Sequence, residues 1–545
     1  MRQSTRLILN AIFNVAGGVA NMAISLVVVP LCIAYIGKSL YGIYTLVAGL
    51  ARNTPLLHMG MTSAVSRYSA AHLARGEHDE LNAVVNTAVA YFRVASVLFV
   101  GLILLVAFFC IEWFVKDPAL VPVARVCVVI FGTIEGLVMC IGPVGAVLRA
   151  IERFDLISIS TTSFRVVRLA VLAIALPLCD SKAGLVCVTT VMVLTNLLPM
   201  LAQRVLAVRY TPSLKISMQL ARLRLVWPMI KFGVGTITWY WAQTFVDYLP
   251  ILIIGYYLST EDVTDYAVPC RAFMLVNMLV VEIMTVLMPT ASKLTATDRR
   301  EELRELLLRS SKYAGGVSVA GCAGMGILSP LLLYLWVGEG FAYSAVILTV
   351  LAAGRALYFI QTSSFYILVG MAKQKVPALM ALLGVILMAG VQGLILAHTD
   401  WHLVGVAAVA ATALTIAWGL AIPAYVCRQV NASLRQYYTI VLVRPVLASV
   451  PATVVWVALR FVPLDYGWIT LTGALLGGVL LLLPGWWFVL FDDWDRRLVI
   501  EKLTALRNKI RRTPAPVAPQ AEPPEKKEAP LPDGLSSPQD YPEDD

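Results

Sequence analysis

Arginine residues recur inside segments that are otherwise apolar enough to cross a lipid bilayer. Seven lie at or within such segments: Arg52, Arg93, Arg125, Arg165, Arg168, Arg271 and Arg355. A charged side chain at the bilayer centre costs about 2.5–3.5 kcal/mol or more, so it is retained where it faces a hydrated cavity or a partner. The pattern therefore predicts a polytopic membrane protein with a hydrated, cationic interior.

Acidic residues in the same segments are fewer than the arginines. They are Glu135, Asp247 and Glu282. Two interpretations of an arginine such as Arg52 or Arg165 stay open, because it either contacts an anionic substrate or is held in an internal ion pair with Glu135. Asp247 and Glu282 are further candidates for ion pairing or for proton or sodium coupling.

The surplus of positive charge favours an anionic substrate. A guanidinium group is a planar fork that binds two phosphate oxygens at once, so a diphosphate is a suitable ligand. We expect the arginines nearest to mid-depth to attract it, chiefly Arg52, Arg165, Arg168, Arg271 and Arg355.

The composition is that of a multi-span membrane protein. Of the 545 residues, 59% are hydrophobic and 14% are charged, and the mean hydropathy is +0.78, whereas a soluble domain averages about 25% charged residues. The nine cysteines lie in or at the ends of apolar segments without CxxC spacing, which favours packing over metal or redox roles. No spacing of His, Cys and Glu resembles a metal site, and no cofactor motif is present.

Apolar segments of about 20 residues are long enough to span a bilayer as helices. An all-α integral membrane protein with about 14 transmembrane helices is predicted, at residues 7–36, 40–64, 83–114, 120–148, 156–178, 183–204, 229–258, 263–290, 313–336, 343–370, 376–397, 403–427, 440–462 and 467–491. Lysine and arginine concentrate in alternate loops, which places those loops and both termini in the cytoplasm. The net charge of +10 reflects these loops and does not indicate a nucleic-acid partner.

The predicted spans divide into two halves of six around a longer basic connection. The expected divisions are an N-terminal lobe at 1–204, a cytoplasmic amphipathic connection at 205–228, a C-terminal lobe at 229–428, two additional helices at 429–491, a cytoplasmic amphipathic basic helix at 492–512 and a disordered proline-rich tail at 513–545. The connection is expected to form an interfacial helix because apolar and basic residues alternate along it.

Three stretches resemble a known transporter family. They are IGKSLYGIYTLVAGLARNTPLLHMGMTSAVSRYSAAHLARGE, GAVLRAIERFDLISISTTSFRVVRLAVL, and DYAVPCRAFMLVNMLVVEIMTVLMPTASKL with the later LLLYLWVGEGFAYSA. They resemble the polysaccharide-transport, Wzx-like branch of the multidrug/oligosaccharidyl-lipid/polysaccharide (MOP) flippase superfamily, over about residues 1–430. The resemblance implies two six-helix lobes around a central cavity plus two C-terminal helices. It also implies alternating access and the movement of an undecaprenyl-diphosphate-linked oligosaccharide to the outer leaflet of a bacterial inner membrane.

Other functions are weighed against this one. Drug and cation antiporters of the superfamily typically use an acid in the first span, where this chain has Asn10, Asn14 and Asn21 and no acid. Lipid II flippases are the closer alternative, since they also have fourteen spans and a cationic cavity. A membrane-bound glycosyltransferase, polymerase or ligase is the alternative from another class, and the short outer loops disfavour it.

We therefore expect a transporter and not an enzyme. Its expected partners are a lipid-linked anionic oligosaccharide and membrane lipid, with a polysaccharide polymerase and chain-length machinery as further candidates. The resemblance names none of the sugars of the substrate.

Overall fold

A computed structural model describes residues 3–51, 61–284, 287–461 and 467–511 of the chain. Side chains are described in these ranges except at 3–16, 19, 51, 232–236, 282–283, 289, 461, 503 and 505–511. Throughout the described ranges the regular structure is helical and contains no β-strand. The all-α prediction is confirmed.

The described residues of the first lobe form seven helices. They are α1 Gln3–Ile36, α2 Lys38–Ala51, α3 Met61–Arg75, α4 His78–Phe114, α5 Val121–Ala150, α6 Phe154–Leu178 and α7 Ser181–Tyr210. Helix α5 packs against α3, α4 and α7, and α6 packs against α1 and α7. Helix α5 therefore contacts most of the other helices of this lobe.

The second lobe is built from shorter and more interrupted helices. They are α8 Val226–Tyr257, α9 Thr260–Ala272, α10 Met274–Met284, α11 Leu287–Ala296, α12 Arg300–Ile327, α13 Ser329–Val337, α14 Ala342–Ile360, α15 Thr362–Gly370, α16 Lys375–His398 and α17 His402–Gln429. Helix α8 packs against α16, and α14 packs between α12 and α17.

Two further helices follow the second lobe, α18 Leu434–Arg460 and α19 Trp468–Leu490. They pack against each other, and α18 packs against α12. Trp456 joins the two helices, since its Nε1 donates to the carbonyl of Ala474 at 2.9 Å. Beyond residue 490 a separate compact unit contains α20, Asp493–Arg511.

The helices have the length and surface of membrane spans. Ten of those in the described residues are long and apolar enough to cross a bilayer, and α12 with α13 makes an eleventh if this pair, bent by 74°, is one broken span. Their outward faces are apolar, as with Phe109 and Leu387, which stay 72% and 69% exposed. Such faces suit contact with lipid. The chain is a multi-pass membrane protein, and the expected number of fourteen spans stays a prediction.

The connection between the lobes differs from the single amphipathic helix expected at 205–228. Helix α7 runs on to Tyr210, and the segment before α8 is irregular, with short 3₁₀ turns at Met218–Leu220 and Leu223–Leu225. Pro212 disfavours helical geometry at the residue before it, so the helix ends there. The expectation of one continuous helix is wrong.

Side chains of α4 replace the helical hydrogen bonds that this segment lacks. Asn82 accepts from the amide of Lys215 at 2.7 Å and donates to the carbonyl of Ser213 at 3.0 Å. Asn86 accepts from the amide of Ser217 at 2.8 Å and donates to the carbonyl of Lys215 at 2.7 Å. The connection is therefore docked on the first lobe as an extended segment, through contacts that its own periodicity does not reveal.

Candidate substrate cavity

A cavity of about 570 Å³ lies between the two lobes. Helices α1, α2, α5, α6 and α7 supply one side of it, and α9, α10 and α13 supply the other. Four of the residues singled out in the sequence line its wall, namely Arg165, Arg168, Arg271 and Glu135. The fold thus brings together charged groups that are up to 136 positions apart in the chain.

The wall of the cavity contains both charged or polar side chains and apolar ones. Its described charged residues, three arginines and one glutamate, give a net formal charge of +2. Neutral polar groups surround them, from Asn21, Ser25, Tyr41, Tyr44 and Asn196. The wall also contains four apolar methionines, Met22, Met192, Met274 and Met278. Such a cavity suits a ligand with an anionic group joined to a less polar part.

Arg168 is oriented by α7. Its Nε donates to the hydroxyl of Thr195 at 2.7 Å, and its Nη2 donates to Oδ1 of Asn196 at 2.9 Å. A third contact runs from Nη2 to the carbonyl of Met192 at 3.3 Å. These three acceptors are neutral and orient the guanidinium. Arg165 lies three residues earlier on α6 and therefore shares this face of the helix.

Glu135 on α5 lines the same wall of the cavity. It lies in one cavity with Arg165 and Arg168, so an acidic partner for either arginine is at hand. The two interpretations of the sequence, substrate contact and ion pairing with Glu135, both stay predictions.

Arg271 lies where the lobes meet. It belongs to the last turn of α9, next to the turn at Phe273 that separates α9 from α10. The phenols of Tyr41 and Tyr44 on α2 and of Tyr248 on α8 lie within electrostatic range of its guanidinium, and so does the carboxylate of Asp247 on α8. The phenols surround this arginine with neutral hydrogen-bonding groups.

Arg355 is not one of the residues that line the cavity. Its side chain on α14 is only 5% exposed, and Nη2 donates to Oδ1 of Asp247 on α8 at 2.5 Å. Its guanidinium also faces the rings of Tyr358 at 5.5 Å and Phe273 at 6.0 Å. Arg355 and Asp247 thus form an ion pair inside the second lobe and are not among the residues that line the cavity. A contact between Arg355 and substrate stays a prediction.

Two of the residues singled out cannot be placed in the cavity. Arg52 lies outside the described residues, and so does the side chain of Glu282. Among the described residues no group of three or more His, Cys, Asp and Glu side chains is arranged to hold a metal ion.

Other cavity residues escaped the reasoning from sequence. Trp336 on α13 donates its Nε1 to the carbonyl of Leu26 on α1 at 2.8 Å, which ties the two lobes at the cavity wall. Tyr41 and Tyr44 carried a weak signal, since their spacing of three residues places both on one face of α2. Nothing in the sequence near Trp336 distinguishes it from an interfacial tryptophan.

Solved structures share this arrangement of helices. "Lipid II flippase MurJ, inward closed conformation" aligns with a TM-score of 0.64 at 12% identity, over 88% of this chain and 98% of that one. "Inward-facing conformation of a multidrug resistance MATE family transporter of the MOP superfamily" aligns with a TM-score of 0.59 at 13% identity, over 77% of this chain and 94% of that one. These identities show a common fold.

The sequence family is shown separately. The family described as "Polysaccharide biosynthesis protein" matches residues 7–295, more than half of the chain. The chain belongs to this family, and it shares the fold of the two solved structures. No curated protein sequence matches it.

Proposed function

We propose that this protein is a flippase that moves an undecaprenyl-diphosphate-linked oligosaccharide from the cytoplasmic to the outer leaflet of a bacterial inner membrane. The observation that carries the proposal is the net positive cavity between the lobes, with Arg165, Arg168 and Arg271 in its wall. Because a charged headgroup cannot cross the hydrocarbon core unaided, the cavity must replace the water that the headgroup loses.

In the proposed mechanism the arginines bind the diphosphate and any acidic sugars beside it. The lobes then rock against each other about the connection at 205–228, while the polyprenyl tail stays in the bilayer. Transport of this kind needs a binding site that is reached from one side at a time, as in alternating access. The basic loops and both termini face the cytoplasm in this scheme.

Transport of lipid II is the second candidate. It is favoured by the shared fold with a lipid II flippase, and its headgroup carries the same diphosphate chemistry. A multidrug or cation antiporter is less well supported, because α1 has no acidic residue and the described charges of the cavity are net positive.

The test measures surface polysaccharide in cells that carry Arg165→Ala or Arg168→Ala at matched protein levels. We expect export to fall in both variants and to recover in part with lysine. Arg125→Ala is the matched control, since Arg125 is an intramembrane arginine that pairs with Glu112 at 3.2 Å and does not line the cavity. Full export by both cavity variants would overturn the proposed site.

A second arm separates the two substrates. The gene is expressed in cells depleted of their own lipid II flippase, and peptidoglycan synthesis is measured. No rescue is expected if the substrate is the oligosaccharide repeat unit of a polysaccharide. Rescue would assign the cavity to lipid II instead.

A further inference from the structure

The start of α2 packs directly against the start of α9, at the ends of the lobes opposite the basic loops. A Cβ added to Gly42 would lie 1.7 Å from the carbonyl oxygen of Thr260, a distance that no side chain could occupy. Only glycine permits such an approach of two backbones. The two lobes are therefore in backbone contact at this point, and α2 cannot come closer to α9.

Hydroxyl groups add to this contact. The hydroxyls of Ser39 and Thr260 are hydrogen-bonded at 2.8 Å. The hydroxyl of Thr264 donates to the carbonyl of Lys38 at 2.7 Å. Each of these bonds joins α2 to α9 across more than 200 residues of sequence, so each one is lost when the helices separate.

Lys38 adds an ion pair to the contact between α2 and α9. Its Nζ lies 2.8 Å from Oδ2 of Asp265 on α9 and donates to the carbonyl of Gly340 at 3.2 Å. The ammonium also faces the ring of Phe341 at 5.0 Å. Asp265 accepts a second hydrogen bond, from the hydroxyl of Ser344 on α14 at 2.6 Å. Lys38 thus joins α2 to α9 and to the loop before α14.

The pair is shielded from solvent on the side of the acid. The side chains of Lys38 and Asp265 are 25% and 9% exposed. Removing one partner of a shielded pair leaves the other charge uncompensated, whereas separation of the lobes would return both charges to water. Loss of either partner is therefore expected to weaken the contact between the lobes.

A second lysine crosses the same end of the molecule. Lys116 donates to the carbonyl of Tyr257 at the end of α8 at 2.7 Å, and Phe114 meets the edge of Tyr256 with ring centres 6.4 Å apart. Lys182 differs, because it donates to the carbonyl of Ala119 within the first lobe at 3.2 Å. It offers a matched lysine that does not join the lobes.

The contact and the cavity share the same two helices. Helix α2 carries Lys38 and then Tyr41 and Tyr44, and α9 carries Asp265 and then Arg271. Six residues of helix separate Asp265 from Arg271, a rise of about 9 Å. A movement that parts α2 from α9 therefore also parts Arg271 from Tyr41 and Tyr44.

We propose that Lys38, Asp265 and Ser344 form an outer latch that holds the lobes closed at the end away from the basic loops. The latch holds the cavity closed to the outer side and is released when Arg271 exchanges its tyrosine neighbours for a ligand. The assignment of the latch to the outer side rests on the proposed function, and the latch itself does not depend on which lipid-linked substrate is carried.

The test measures how accessible the cavity wall is to a reagent from outside the cell, and it does not depend on transport. Ser25→Cys, in the cavity wall, is introduced into a variant without the native cysteines, and intact cells are labelled with a membrane-impermeant maleimide. We expect slow labelling in this parent, and labelling about 5- to 30-fold faster after Lys38→Ala or Asp265→Asn, as expected when a contact of this kind is lost. Lys182→Ala should leave the rate unchanged.

Unchanged labelling of both latch variants, at parental protein levels, would overturn the latch. Faster labelling confined to inverted vesicles would keep the latch and reverse the proposed orientation. The surface polysaccharide assay is scored separately, so failure of the flippase assignment is not confused with failure of the latch.

A cross-link keeps the proposal testable if Lys38→Ala does not fold. Ser39→Cys with Thr260→Cys places two thiols where the hydroxyls lie 2.8 Å apart. Diamide removes two electrons and two protons from the thiols to form the disulfide and is itself reduced to the hydrazine. Export should stop after diamide and return after dithiothreitol. Undiminished export by the cross-linked protein would show that this end does not open.

Discussion

Arg168 and Arg355 are both intramembrane arginines, yet they are held in different ways. Arg168 is positioned by the neutral groups of Thr195 and Asn196 in the wall of a cavity. Arg355 is held by the carboxylate of Asp247 and is 4% exposed. A neutral acceptor orients a guanidinium and preserves its charge, whereas a carboxylate neutralises it.

This difference indicates how a set of intramembrane arginines divides between binding and structure. Both residues cost free energy to place in the membrane, and each recovers it from a different source. For Arg355 the source is an internal ion pair. For Arg168, which shares the cavity wall with Glu135, we propose that a bound anion supplies part of it, so that Arg168 mainly binds the ligand and Arg355 mainly stabilises the second lobe.

The largest expected effect is loss of the folded protein in Arg355→Ala. The buried side chain of Arg355 would leave a cavity, which costs about 2–5 kcal/mol for large-to-small replacements in a core, and the 38% exposed Asp247 would lose its partner. We expect a sharp fall in the yield of monodisperse protein in detergent and a lower Tm. The double variant Asp247→Asn with Arg355→Met should recover much of the loss. A single variant with parental yield and Tm would contradict the structural role.

A smaller effect on folding and a larger one on binding are expected for Arg168→Ala. Loss of hydrogen bonds to a charged ligand group costs about 1.5–3 kcal/mol, or roughly a tenfold to hundredfold weaker affinity. Binding of a polyprenyl-diphosphate oligosaccharide to the purified protein would measure it, with Tm as the check on folding. Equal losses of Tm in Arg168→Ala and Arg355→Ala would remove the distinction between them.

The sequence was sufficient to predict the helical membrane fold and the cationic interior. Apolar length alone identifies the helices, and charge within them marks residues that need a hydrated or paired environment. Arg165, Arg168 and Arg271 could therefore be singled out before their common cavity was known. Their spacing along the chain, however, contains nothing that distinguishes them from Arg355.

What separates these residues is a partner far away in sequence. Asp247 is 108 positions from Arg355, and Asn196 is 28 positions from Arg168. The same holds for the connection, where Asn82 and Asn86 on α4 bind a segment more than 120 positions later. Periodicity reports only the face that a residue shares with its near neighbours, so it predicted a helix where tertiary hydrogen bonds hold an extended chain.

The smallest effect, and the sharpest test of the comparison, is expected for Thr195→Val. The hydroxyl of Thr195 accepts from Arg168 and donates to the carbonyl of Val191 at 2.6 Å, so its loss frees the guanidinium to move while the charge remains. A net contribution of about 1 kcal/mol predicts roughly fivefold weaker binding with little change in Tm. Thr189→Val is the matched control, since Thr189 on the same helix donates to the carbonyl of Leu185 at 2.9 Å, is hydrogen-bonded with Cys127 on α5 and lies outside the cavity wall. If both valine variants bind the ligand with parental affinity, the orientation of Arg168 does not matter, and its charge alone accounts for its role.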